Sequence, residues 1–154
     1  MRRLLLASLT ALLLSAGCAG GGPKSGKIRD PRADLITDRR AKGPDGKKHR
    51  LTGEASWYGE QFHGQQTASG ETYDMYGFTA AHKTLPFHTI VRVTDPLTRK
   101  SVVVRVTDRG PYVDGRVIDL SWAAASDLDM DKNGVIAVEI EGLRWGDGSR
   151  VAGR

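Results

Sequence analysis

The sequence predicts a mainly β domain, a small closed barrel with one short helix. Three features carry this reading. Short apolar runs recur with two-residue alternation, Gly, Pro and Asn-Gly pairs separate them, and only one stretch has helix-cap chemistry. The clearest run begins at Ser101. Val102, Val104 and Val106 alternate with Val103, Arg105 and Thr107, the pattern of a half-buried strand. Pro111 cannot donate to a ladder, so the strand ends before it. Asp108 and Arg109 are thereby delivered to a strand end, at a tight Gly110-Pro111 turn. A second apolar run, Val117 to Leu120, follows and carries Asp119.

The other elements read in order from residue 53. Ala55 and Trp57 alternate with Ser56 and Tyr58 as a short strand. Residues 60–69 form a polar loop, and Ser69-Gly70-Glu71 is turn chemistry that leaves Glu71 at a loop edge. Tyr73 to Tyr76 allows one helical turn. Phe78 to Ala81 is a short strand ending at His82. Leu85-Pro86-Phe87-His88 turns the chain into the strand Thr89 to Thr94, and Asp95-Pro96 starts a hairpin into the Ser101 strand. Ser121 is an N-cap for a helix from Trp122 to Leu128, where three alanines favour helix. Asn133-Gly134 is a turn, and Val135 to Glu141 alternates as a closing strand.

The chain has 154 residues, one ordinary domain, and a net charge of +5. That charge lies at the front. Residues 19–52 hold ten Lys/Arg against four Asp/Glu, a net +6, whereas residues 53–154 hold eleven against fourteen, a net −3. A basic globular face for nucleic acid is not indicated. The front is read as a linker over residues 18–52, too poor in apolar side chains to fold. Ahead of it, residues 1–17 have two arginines and an apolar stretch, as secretory signals do. The single cysteine, Cys18, follows Leu14-Ser15-Ala16-Gly17, a run that resembles a bacterial lipobox with Ser where Leu is usual. That resemblance implies lipidation of Cys18. With one cysteine no internal disulfide forms, and the domain stands on its core. The four histidines show no paired metal-ligand spacing, and no phosphate-cradling loop marks a cofactor.

Six runs stand in register across residues 53–143. They are Ala55-Ser56-Trp57-Tyr58-Gly59, Phe62-His63-Gly64, Thr67 to Glu71, Thr79 to Pro86, Thr107 to Pro111 and Arg116 to Ser121. Together they resemble the rare lipoprotein A family, septal-ring lytic transglycosylases of Gram-negative bacteria. The resemblance implies a six-stranded double-psi β-barrel over residues 53–145, and cleavage of the β-1,4 bond between N-acetylmuramic acid and N-acetylglucosamine without water. The product is a 1,6-anhydro end, and peptide-stripped glycan strands are the favoured substrate. The chain is read as a monomer with no cofactor, with glycan strands and division or cell-wall proteins as partners. The acylated Cys18 would hold the protein on the outer membrane, facing the periplasm. Two departures stand out. His88 occupies a position where the family usually has Gly; if its φ is positive, His is tolerated there better than a β-branched residue. Residues 146–154 read as a short flexible tail, where many relatives carry a glycan-binding SPOR domain, so septal targeting through that domain is not expected.

By motif, the family's functional residues fall on Glu71, His82 and Asp108. Glycoside cleavage needs a proton for the leaving oxygen and stabilisation of an oxocarbenium-like centre. Asp108 is read as acid and then base, with Glu71 as partner, and the two could exchange roles. On its own stretch, Asp108 could equally cap its turn and pair with Arg109. His82 either orients a carboxylate, binds sugar hydroxyls, or is a structural strand-end histidine. Asp119 either lines the groove or caps the Ser121 helix. Arg109, Trp57 and Tyr58 are candidate substrate contacts, the two aromatics being equally suited to the core. The rival to the enzyme reading is a non-catalytic, expansin-like glycan binder.

Overall fold

The computed structural model describes residues 49–151, together with residue 43. The expected signal, Cys18 and nearly all of the expected linker lie outside the described residues. Six strands form: β1 Arg50–Trp57, β2 Thr79–His82, β3 Ile90–Thr94, β4 Ser101–Asp108, β5 Arg116–Leu120 and β6 Ile136–Arg144. They close into a barrel in the order β1-β5-β2-β4-β3-β6. Two neighbouring pairs are parallel, β1 with β5 and β2 with β4, and the other four are antiparallel. A tight hairpin cannot join parallel strands. The chain therefore makes long crossovers, and their loops gather around the strand ends that carry Asp108 and Asp119.

Alternation builds the interior. Val91, Val93, Val104, Val106, Ile118, Leu120, Val138 and Ile140 are all buried in one cluster. Branched side chains suit this role, since their restricted rotamers lose little freedom on a pleated surface. Strand β4 is more buried than half-buried alternation predicts. Val103 packs with Ile90 and Leu143 in a second, outer cluster, so both faces of β4 are covered. The one α-helix among the described residues, α1 (Trp122–Asp127), starts as expected: the Ser121 hydroxyl accepts the Ala124 N–H at 3.3 Å. It buries Ala124 and Ala125 against the barrel. Around Met75 and Tyr76 the chain makes a turn and no helix.

Strand β6 runs on to Arg144, past its expected end at Glu141, and two other boundaries differ from the expectation. Strand β1 begins at Arg50, three residues into the expected linker, because Arg50, Leu51 and Thr52 pair with Glu141, Ile140 and Glu139 of β6. Ladder bonds use backbone groups, so a polar strand end is accommodated as well as an apolar one. The stretch after β6, expected as a flexible tail, is docked. Gly146 N–H donates to Thr89 Oγ1 at 3.1 Å, Gly148 N–H to the Phe87 carbonyl at 3.3 Å, and Val151 N–H to the Ser69 carbonyl at 2.7 Å. Gly146 permits this approach: a Cβ there would lie 1.8 Å from the Phe87 carbonyl oxygen. At the departure from the family pattern, His88 has φ +66°, as anticipated, and the turn is kept.

Candidate active site

The site lies where β4, β2 and β5 run side by side. In the ladders Ala81 of β2 pairs with Asp108 on one side and Asp119 on the other. Adjacent strands lie ~4.8 Å apart, so the two carboxylate backbones are roughly 10 Å apart across a fully buried alanine. Both carboxylates line one cleft of about 430 Å³, with Tyr58, Arg109, Tyr112 and Arg116 among its walls.

Asp108 is held asymmetrically. Its Oδ1 accepts the N–H groups of Ala68 and Arg109, both at 2.8 Å. Among the described residues its Oδ2 has only the Tyr58 hydroxyl, at 3.4 Å. Burial, together with the charges of Asp108 and Asp119, pushes the Tyr58 phenol far above its ordinary range, so it stays protonated and donates. Asp119 is deeper. Its Oδ1 accepts Ser56 Oγ–H at 2.5 Å and lies 3.9 Å from Arg116 Nε, while Arg116 Nη1 donates to Ser56 Oγ at 2.8 Å. Ser121, not Asp119, caps the helix, so Asp119 belongs to the groove.

The loop that positions Asp108 is built by Thr67-Ala68-Ser69-Gly70-Glu71. Thr67 N–H donates to the Glu71 carbonyl at 2.8 Å, Gly70 takes φ +90°, and Ser69 N–H ties the loop to the Thr107 carbonyl at 3.1 Å. Glu71 is not among the residues that line the cleft. Arg105 grips it with two bonds, Nη1 to Oε1 at 2.6 Å and Nη2 to Oε2 at 2.7 Å. That hydrogen-bonded guanidinium holds the Glu71 carboxyl below the ordinary carboxylate range. His88 Nδ1 adds a contact at 3.5 Å to Oε1 and one at 3.1 Å to Arg105 Nη1.

A family model described as lytic transglycolase matches residues 50–140. The chain belongs to that family. It is 58% identical over 99 residues to a Pseudomonas aeruginosa protein named endolytic peptidoglycan transglycosylase RlpA, an alignment covering 64% of this chain and 29% of that one. A protein of the same name from Vibrio cholerae is 49% identical over 121 residues, covering 79% of this chain and 43% of that one. The chain thus spans less than half the length of these relatives. An expansin from Clavibacter michiganensis, solved in its apo form, shares the barrel with a TM-score of 0.51 at 19% identity, covering 62% of this chain and 51% of that one. The closed six-stranded barrel is the double-psi barrel that the rare lipoprotein A resemblance implies.

Within this lytic transglycolase domain the expected site residues divide. Asp108, Asp119, Arg109 and Tyr58 meet at the cleft. Glu71 and His82 do not line it. His82 is buried, and its Nδ1 accepts the N–H groups of Thr84 and Leu85 at 3.2 and 3.1 Å. Burial, then the charges of Arg109 and Lys83, lowers its pKa to about 4, so it is neutral and closes a turn. Its carbonyl accepts Arg109 Nη1 at 3.3 Å, and the Arg109 guanidinium stacks 3.6 Å above the Phe87 ring. Trp57 is not among the residues that line the cleft. Alternation along β1 turns it, with Ala55, onto the barrel core, while Ser56 bonds Asp119 and Tyr58, just past the strand, lines the cleft. Sequence reasoning missed Tyr112 and Arg105. An aromatic directly after Gly-Pro and a lone arginine among strand valines were the available signals.

Proposed function

We propose that this domain is an endolytic peptidoglycan lytic transglycosylase. It breaks the β-1,4 bond between N-acetylmuramic acid and N-acetylglucosamine, on peptide-stripped strands, in wall remodelling and daughter-cell separation. The observation that carries this reading is the asymmetric hold on Asp108. Two backbone N–H groups fix Oδ1, which leaves Oδ2 as the oxygen able to hold and pass a proton in the cleft. Protonated Asp108 gives its proton to the glycosidic oxygen as the bond from C1 breaks. The carboxylate then takes the proton of the muramic C6 hydroxyl as that oxygen bonds to C1. No water enters, and Asp108 ends as it began. Asp119, held by Ser56 and near Arg116, supplies negative charge beside the developing cation. Tyr58 steadies Asp108; Arg109 braces the wall. Glu71 acts at one remove, fixing the loop whose Ala68 N–H holds Asp108. His82 likewise positions Arg109 through its carbonyl.

We also propose that Cys18 is acylated and tethers the domain to the outer membrane on its periplasmic side, through the basic segment after it. The deciding experiment is digestion of peptide-stripped glycan by the purified protein, read by mass spectrometry. Ends lighter than a hydrolysed end by one water support the reading. Strands that are bound and never shortened leave the expansin-like reading in its place.

A further inference from the structure

We infer that Tyr112 is a stacking platform for a sugar ring, which sets where a glycan strand sits relative to Asp108. The inference rests on the reading of the cleft as a glycan site. Tyr112 follows Asp108 by four residues, in the loop from β4 to β5, and lines the cleft. Its side chain is 83% exposed, so its ring is open to a ligand lying in the cleft. The ring leans back over Gly110. Tyr112 Cε2 lies 3.8 Å, and Asp119 Oδ2 3.9 Å, from the place a Gly110 Cβ would occupy. The platform therefore stands on the Asp119 side of the cleft, on a turn that a φ of +134° reserves for glycine.

Phe62, 40% exposed, lines the same cleft and is packed edge-on to Tyr58 with ring centroids 5.5 Å apart. Tyr58 in turn reaches Asp108. One exposed aromatic thus comes from the loop after β1 and one from the loop between β4 and β5, with the polar groups of Asp108 and Arg109 in the same cleft. A pyranose ring has the matching surface, an apolar C–H face bounded by hydroxyl edges. A tyrosine offers a flat apolar body with a polar tip, at low entropic cost on ordering. Gripping a strand without contacting its reacting bond is uniform binding, which moves KM and leaves kcat.

The test uses the full chain and peptide-stripped glycan strands, with strand binding and the KM and kcat for anhydro-end release both measured. Tyr112→Ala should weaken binding and raise KM about 3- to 10-fold, the size expected of one aromatic contact, with kcat little changed. Tyr112→Trp should restore both. Leu97→Ala removes a side chain that is 88% exposed and outside the cleft, and should change neither. Circular dichroism confirms folding. If Tyr112→Ala binds and turns over like the wild type, the platform is wrong and the transglycosylase reading survives. If the wild type binds strands but forms no anhydro ends, and Tyr112→Ala loses binding, the platform stands and the transglycosylase reading falls.

Discussion

Arg105 holds Glu71 in a two-pronged ion pair, at 2.6 and 2.7 Å, and this favours the charged form of Glu71. A general acid must carry its proton at the operating pH. A carboxylate whose two oxygens both accept from one guanidinium is held in its charged form. The pair is a brace: it closes the turn that presents the Ala68 N–H to Asp108.

Glu71→Gln should therefore act on stability first. Charged bidentate bonds at a part-buried site are worth on the order of 1–2 kcal/mol. Urea denaturation should show a loss of that size, shared non-additively with Arg105→Gln, because the two residues form one interaction. Anhydro-end yield should fall less than in Asp108→Asn. Complete loss of turnover with unchanged stability would show that Glu71 takes part in the chemistry.

His82 gives a pH prediction of defined sign. Its pKa is lowered from 6.5 to about 4 in the folded protein. The unfolded chain binds the proton first as pH falls, so the stabilising contribution is complete above 6.5 and is lost between 6.5 and about 4. His82→Asn can still accept a turn N–H, but it does not titrate. The wild type should lose stability faster than this variant through that window. Parallel curves from urea unfolding at several pH values would rule the assignment out.

Much of this was legible in the residues. The strands showed because period-two alternation reports burial directly: Val104, Val106, Ile118 and Ile140 lie inside. Asp108 showed because Pro111 marks where its strand ends. What stayed hidden depends on which residues a closed barrel brings together. Glu71 and Arg105 are 34 residues apart, and nothing local distinguishes a braced carboxylate from a catalytic one. Trp57 and Tyr58 are equally aromatic, and only the facing of β1 separates core from cleft. The segment after β6 looked free because glycine and polar residues read as a linker. Gly146 is there because backbone meets backbone.

Gly146→Ala tests that docking. The new methyl would meet the Phe87 carbonyl oxygen at 1.8 Å and the His88 carbonyl carbon at 2.5 Å, backbone atoms that cannot swing aside. The segment should lift, at a cost of about 1–3 kcal/mol, the range for overpacked sites. Proteolysis should then cut after Arg144 and Arg150 faster than in the wild type. Equal protection in both proteins would mean that the segment does not depend on this contact.

The chemistry itself is tested by comparing Asp108 with Tyr58. Asp108→Asn keeps the shape, and its amide oxygen can still accept the Ala68 and Arg109 N–H groups, but no acidic proton remains for the leaving oxygen. General acid–base help is worth ~10²–10⁴-fold, so anhydro-end release should fall by about that factor with folding intact. Tyr58→Phe removes only the hydroxyl at 3.4 Å from Oδ2, a long contact to a group that keeps its two backbone bonds. It should cost about 10-fold or less. In the double variant the Tyr58 change should add almost nothing, since a residue that steadies Asp108 has no task once Asp108 cannot transfer a proton. Independent, multiplying losses would instead give Tyr58 a role of its own on the substrate. Product yield from peptide-stripped glycan, with circular dichroism as the folding control, separates the two.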